Sequence, residues 1–456
     1  MISEQSGLND SIYKYIAKIA FLNGVGSVAI ASFAVIDAYF IGLLGAETLS
    51  AINFLHPITF AVFSLISGLG SGFSAIFSRY LGQKENSKAE KFLHCSFLIV
   101  VSLMIFLSLF FVNFIEYFFS FFVDSSLEMQ VIKDYLSVWL LGSPLLASMV
   151  LLQQFFRSIG RLKLNACMIL ASVVINIFLD PILIFGFDDW AGLGAQGAAY
   201  ASLISWFFVV FSLWAVVVIK YKYLNLTGFL NSTLQDLQTN ARRIITTASP
   251  VVITLLINPF SQFFVLYELS KYGTYAVAAY GTGLKIQVLL VTVASSLSLS
   301  IVPYMSYSIG AKKHYQAYHA LSSAIKFVCL FQLIVCSLLF YFDMSIAESF
   351  SDNEAVVYWL WFFIHWGAFG LIPLSIIIVI GNSLVAYKKQ KKSMFLNIFR
   401  SFVLLFPSVM LSGYFYAEKG VFLAPVVVNF VTAAIALYML LALKKEQRLK
   451  DLAINL

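Results

Sequence analysis

Two carboxylates stand where a membrane-spanning segment would bury them. Asp180 is the only charge between Lys163 and Asp188, and Asp37 is the only one between Lys18 and Glu47. On insertion scales a carboxylate at mid-bilayer costs roughly 3 kcal/mol, so by default such a residue marks an ion or proton site. Asn176 precedes Asp180 by four residues, about one helical turn away on the same face. Pro181 has no N–H to give the carbonyl of Ile177, which leaves a bare acceptor beside the two side chains. Asp180, preceding a proline, is also pushed away from regular helix. A carboxylate, an amide and a free carbonyl suit a small cation; the competing reading is a kinked packing helix whose acid pairs with a neighbour. Asp37 and Asp180 each fall about seven residues before an outer loop, roughly 10 Å below the boundary. Burial and mutual repulsion oppose two charges there and favour bound protons or a bound cation.

Positioning these acids takes helices. The 456 residues are 61% hydrophobic and 11% charged, with a mean hydropathy of +0.89, outside the usage of soluble domains. Apolar runs of spanning length fall near 15–43, 51–79, 92–116, 135–157, 164–187, 197–219, 245–268, 276–308, 321–342, 357–385, 394–416 and 421–442. The expectation is an all-α polytopic membrane protein of twelve transmembrane helices, because a β-barrel shows alternation instead. Basic clusters such as Arg157/Arg161/Lys163 and Lys388/Lys389/Lys391/Lys392 occupy the even-numbered exits, and acids such as Asp188/Asp189 and Glu418 the odd ones. The positive-inside rule then puts both termini in the cytoplasm and the chain in the plasma (inner) membrane. This distribution accounts for the net charge of +7 without nucleic acid. The four cysteines show no CxxC or metal-ligand spacing. The polar start leads into the first apolar run without a cleavage-like site, which reads as an uncleaved first span.

The halves repeat. Gly45 to Gly82 and Gly273 to Gly310 are both 37 residues apart, at an offset of 228, half the chain. Gly142-Ser143-Pro144 resembles Leu371-Ile372-Pro373, and Leu179-Asp180-Pro181 resembles Leu405-Phe406-Pro407. Six helices per copy predict two lobes of equal orientation, related by a pseudo-twofold axis along the membrane normal. The expected division is an N-terminal lobe at 1–220, a cytoplasmic linker at 221–243 and a C-terminal lobe at 244–456.

Asp37 with Phe40-Ile41-Gly42 and Leu44-Gly45 resembles the first-helix motif of the multidrug and toxic compound extrusion (MATE) transporters. Phe156-Arg157-Ser158-Ile159-Gly160 followed by Asn176-Ile177-Phe178-Leu179-Asp180-Pro181 is similar to that family's RxxG and NxxLDP stretch. The resemblance covers nearly the whole chain. It implies a secondary antiporter, not an enzyme, exporting organic cations or amphipathic compounds against H+ or Na+ entry through Asp37, Asn176 and Asp180. No other cofactor is implied. Gln154 falls where the family commonly has asparagine, and Ser202 where many members have threonine, so both are supporting candidates. The C-terminal lobe departs from the pattern. Asn258 follows Pro250 where some members carry an acid in the seventh helix, and the tenth helix has none, as in the DinF-like branch.

Tyr39, Asn258, Phe263, Tyr280 and Lys285 are candidates for lining a substrate cavity, where aromatic faces hold cations. Lys285 has snorkelling to the interface as its competing role, and His56 and His365 read as isolated packing residues. The expected partners are a small organic cation or amphipathic substrate and membrane lipid, with a monomer as the unit. The alternative cargo is a lipid-linked oligosaccharide, but flippases of that kind need a strongly cationic cavity and Lys285 is the one cation proposed for it. An intramembrane acyltransferase would need partners that neither histidine has, and a sensor would carry a soluble signalling domain.

Overall fold

The computed structural model describes residues 21, 24, 26, 37, 40, 41, 43, 44, 46–120, 126–188, 190–221, 233–351 and 353–454. Ten helical stretches among them are long and apolar enough to cross a bilayer. The all-α class stands. Most of the expected first span, 15–43, lies outside the described residues. The expected spans 394–416 and 421–442 fall within one stretch, Gln390–Glu446. The helix breaks inside it at Ala417, where φ is 51° and ψ is −143°.

The chain separates into two compact units, Val25–Ser249 and Pro250–Leu456, the latter taking in Phe21 and Gly24. The long helices of the first unit are α1 (Ala46–Gly82), α2 (Asn86–Val112), α3 (Ser126–Ser158), α4 (Leu162–Phe185) and α5 (Ala195–Ala215), with a short helix, Ile115–Phe119, between α2 and α3. α3 is the centre, packing against α1, α2 and α5, while α4 packs on α5. Stacked rings fill the middle: Phe73 lies 5.3 Å from Phe77 and 5.8 Å from Phe92, and Phe77 lies 5.4 Å from Phe155. α5 approaches α4 closely because residue 197 is glycine; a Cβ there would stand 2.2 Å from the Leu183 carbonyl oxygen.

The unit boundary falls inside one continuous helix, α6 (Leu234–Ser270), at Pro250. The described end of the expected linker, 234–243, is helical. It is tied to the first unit by Lys91 Nζ to Asp236 Oδ2 at 2.7 Å and by Arg243 Nη1 donating to the Tyr80 hydroxyl at 2.6 Å. Its polar residues make contacts with that unit, so polarity alone did not locate the boundary.

The second unit continues with α7 (Thr274–Gly310), α8 (His314–Phe350), α9 (Glu354–Gly367), α10 (Leu371–Ser383), α11 (Gln390–Ile398) and α12 (Phe406–Ile454). Asn353 caps α9, its Oδ1 accepting from the backbone N–H of Ala355 and of Val356. A π-helical turn, Phe399–Leu405, joins α11 to α12. The 228-residue repeat is visible in the elements: α1 and α7, α2 and α8, and α4 and α11 all begin at that offset. α1 and α7 are also equal in length, at 37 residues.

Candidate ion-coupling site

α4 runs helical through Pro181, so Asn176 and Asp180 share a face one turn apart. The Asn176 Nδ2 donates to Asp180 Oδ1 at 2.9 Å. Asp180 is wholly buried and Asn176 nearly so. The other carboxylate oxygen, Asp180 Oδ2, is buried with no hydrogen-bond partner among the described residues, and so is Asp37 Oδ1. The field of Asp37 acts on Asp180, and the charges of both reach the buried Tyr135 of α3. All four residues lie in the first unit. Two buried, unpaired carboxylate oxygens in one field form an acceptor set short of a positive charge, which a proton or a small cation supplies.

Ser202 is buried on α5. Counting inward from the Gly197–Leu183 contact, Ser202 is about 7.5 Å deep, between Asp180 at about 4.5 Å and Asn176 at about 10.5 Å. Gln154 is elsewhere. It follows Tyr135 by nineteen residues on α3, about 28 Å along the axis, and lies against Gly70 of α1. The family-based expectation for Gln154 is therefore corrected: it belongs to the opposite end of the span from the two acids.

Among the expected cavity residues, Tyr39 lies outside the described residues. Asn258 is half-buried and Phe263 is exposed, both on α6, and Lys285 is exposed on α7. Tyr280 is corrected to a core residue of the second unit, its ring packed edge-on to Phe363 at 5.3 Å and Phe422 at 5.6 Å. The side chain of His56 is outside what is described. His365 is not isolated, since its Nδ1 meets Asp343 Oδ2 at 2.6 Å across 22 residues of sequence.

Two residues escaped the sequence reading. Tyr135 opens an apolar run and carries no local signal; only the fold brings it within the field of the acids. Arg400 had a signal, a charge inside the apolar run 394–416, which the sequence reading passed over. Lys285 is thus not the sole intramembrane cation to weigh.

An apolar helical protein of this length with one buried and one half-buried acid in one of two repeated units defines a multi-pass membrane transporter. The sequence matches the MatE family over residues 24–182 and 250–411. It is 31% identical over 432 residues to the FAD transporter of Shewanella oneidensis, covering 95% of each chain. It is 28% identical over 305 residues to the multidrug export protein MepA of Staphylococcus haemolyticus, covering 66% of each. Its fold is similar to the crystal structure of the Vibrio cholerae MATE transporter VcmN in the bent form, with a TM-score of 0.89, 24% identity and coverage of 97% of this chain and 98% of that one. The chain belongs to the MATE family of transporters and is not an enzyme.

Proposed function

We propose that this transporter is a secondary antiporter that exports amphipathic aromatic compounds in exchange for entering H+ or Na+. The observation that carries this reading is the pair of buried carboxylate oxygens without a partner among the described residues, Asp37 Oδ1 and Asp180 Oδ2, in a common field. The entering ion binds at Asp37 and Asp180, with Asn176 holding the Asp180 carboxylate in place and Tyr135 closing the group. Ser202, at matching depth, supplies a hydroxyl. Neutralising the acids removes the cost of burying them, and the first unit repacks. The ion drives export only through a difference in its affinity for the two access states. One charge moving through 100 mV releases about 2.3 kcal/mol, enough for roughly fifty-fold accumulation. Both termini lie in the cytoplasm, and the protein works as a monomer in the plasma (inner) membrane.

The likeness to MepA supports multidrug cargo. The likeness to the FAD transporter along 95% of the chain favours a second cargo within the same mechanism, a flavin dinucleotide.

The experiment is efflux of a fluorescent organic cation, and separately of FAD, from energised vesicles under imposed pH or sodium gradients. Asp37→Asn and Asp180→Asn, shown to be inserted normally, should each abolish gradient-driven efflux. Wild-type rates in both variants would remove the proposed site, and the gradient that drives the parent identifies the ion.

A further inference from the structure

Arg400 sits in the π-helical turn between α11 and α12, inside an apolar run. Its Nε and Nη2 donate to a single atom, the Oδ1 of Asn429, at 3.2 and 2.8 Å. Asn429 is buried and is itself held by its Nδ2 donating to the Gly370 carbonyl. The buried Tyr280 lies within the field of the guanidinium. Among the described residues no carboxylate pairs with Arg400, and its Nη1 has no hydrogen-bond partner and is not sealed in. A membrane-embedded arginine held only by neutral groups is an uncompensated charge, and such charges are retained where they meet a ligand.

The bland alternative is an arginine snorkelling back to the membrane surface. Register argues against it. The ion pair between Lys389 and Glu446 marks the basic rim where α11 and α12 lie side by side. From that rim Arg400 is eleven residues along, about 16 Å, whereas Asn429 is seventeen residues along, about 25 Å. The guanidinium therefore reaches away from the rim, toward the deeper amide. The π-turn is consistent with the same view, because such turns are found frequently at functional positions.

We infer that Arg400, positioned by Asn429, is an anion anchor within the second unit that takes a phosphate oxygen of a phosphate-bearing amphipathic substrate. Two N–H groups are spent on the amide and fix the plane of the fork, leaving its Nη1 side for the phosphate, the group guanidinium recognises best. The inference rests on the export reading for its substrate. It assigns opposite polarities to the two units, acids for the ion in the first and a base for cargo in the second. The same chemistry would also suit the phosphate of an anionic lipid headgroup, so the test must separate the two sources.

The full chain is placed in nanodiscs of phosphatidylcholine alone. Reaction of Arg400 with phenylglyoxal is followed by peptide mass spectrometry with FAD, with riboflavin, or with neither. FAD should slow the reaction about tenfold and riboflavin, which lacks phosphate, should not; equal rates in all three overturn the inference. In nanodiscs containing phosphatidylglycerol the FAD protection should persist. Full protection by that lipid alone, with no further effect of FAD, assigns the anchor to a headgroup and overturns the substrate reading. Flavin binding by fluorescence quenching completes the test. Arg400→Gln should weaken FAD binding about tenfold and leave riboflavin binding unchanged, with Arg400→Lys between. Equal losses for both flavins would show a merely structural arginine. These are equilibrium measurements without a gradient, so failure of ion coupling in the Asp37→Asn and Asp180→Asn vesicles leaves them decisive.

Discussion

At the scale of single residues, the protein keeps a strained charge balance. Asp180 has one oxygen satisfied by Asn176 and one with no partner among the described residues, which is a poor arrangement for stability and a good one for reversible ion capture. Removing the amide leaves a second bare oxygen in place of a charge-assisted bond worth about 1.5–3 kcal/mol. Asn176→Ala should therefore lower gradient-driven efflux about tenfold while the protein still inserts, as measured by initial rates in vesicles. Tyr135→Phe removes only a hydroxyl from the same group; it should slow ion-driven efflux less than Asn176→Ala does, on the same assay.

At the scale of elements, one backbone position bears on how the site is held and another on the stability of the second unit. Gly197 lets α5 press on the Leu183 carbonyl, three residues beyond Asp180. Gly197→Val would drive a side chain into that backbone at a cost of about 1–3 kcal/mol, lowering the thermal midpoint in detergent. Efflux should fall with it, because α4 shifts against its neighbour. Ala417 carries a positive φ that suits glycine, and such strain costs of order 1–3 kcal/mol. Ala417→Gly should raise the thermal midpoint and leave transport intact; a lowered midpoint would show that the alanine methyl is packed in a way that outweighs the strain.

At the scale of the whole molecule, orientation follows from charge. Basic residues predominate at one set of helix ends, and the positive-inside rule predicts that those ends face the cytoplasm. In a background with the four cysteines replaced, Thr233→Cys should react with an impermeant maleimide only after cells are opened. Ser351→Cys should react in intact cells. The opposite pattern would invert the topology and with it the direction of ion entry.

The helical class, the 228-residue repeat and the two intramembrane acids were legible along the chain, because burial in lipid imposes length and composition locally; the expected count of twelve spans stands against ten such stretches among the described residues. Asn176 was legible too, since one helical turn carries it onto the face of Asp180. Packing between helices has no such local signature. It brought Tyr135 within the field of the acids, set Gln154 against Gly70, sank Tyr280 among rings, and paired His365 with Asp343. It also gave polar residues of the expected linker, Asp236 and Arg243, partners on the first unit. Arg400 shows the division most clearly. Its charge could be seen in the sequence, but whether a long flexible side chain turns to the surface or to the interior is decided by a partner on another helix, and Asn429 lies 29 residues away.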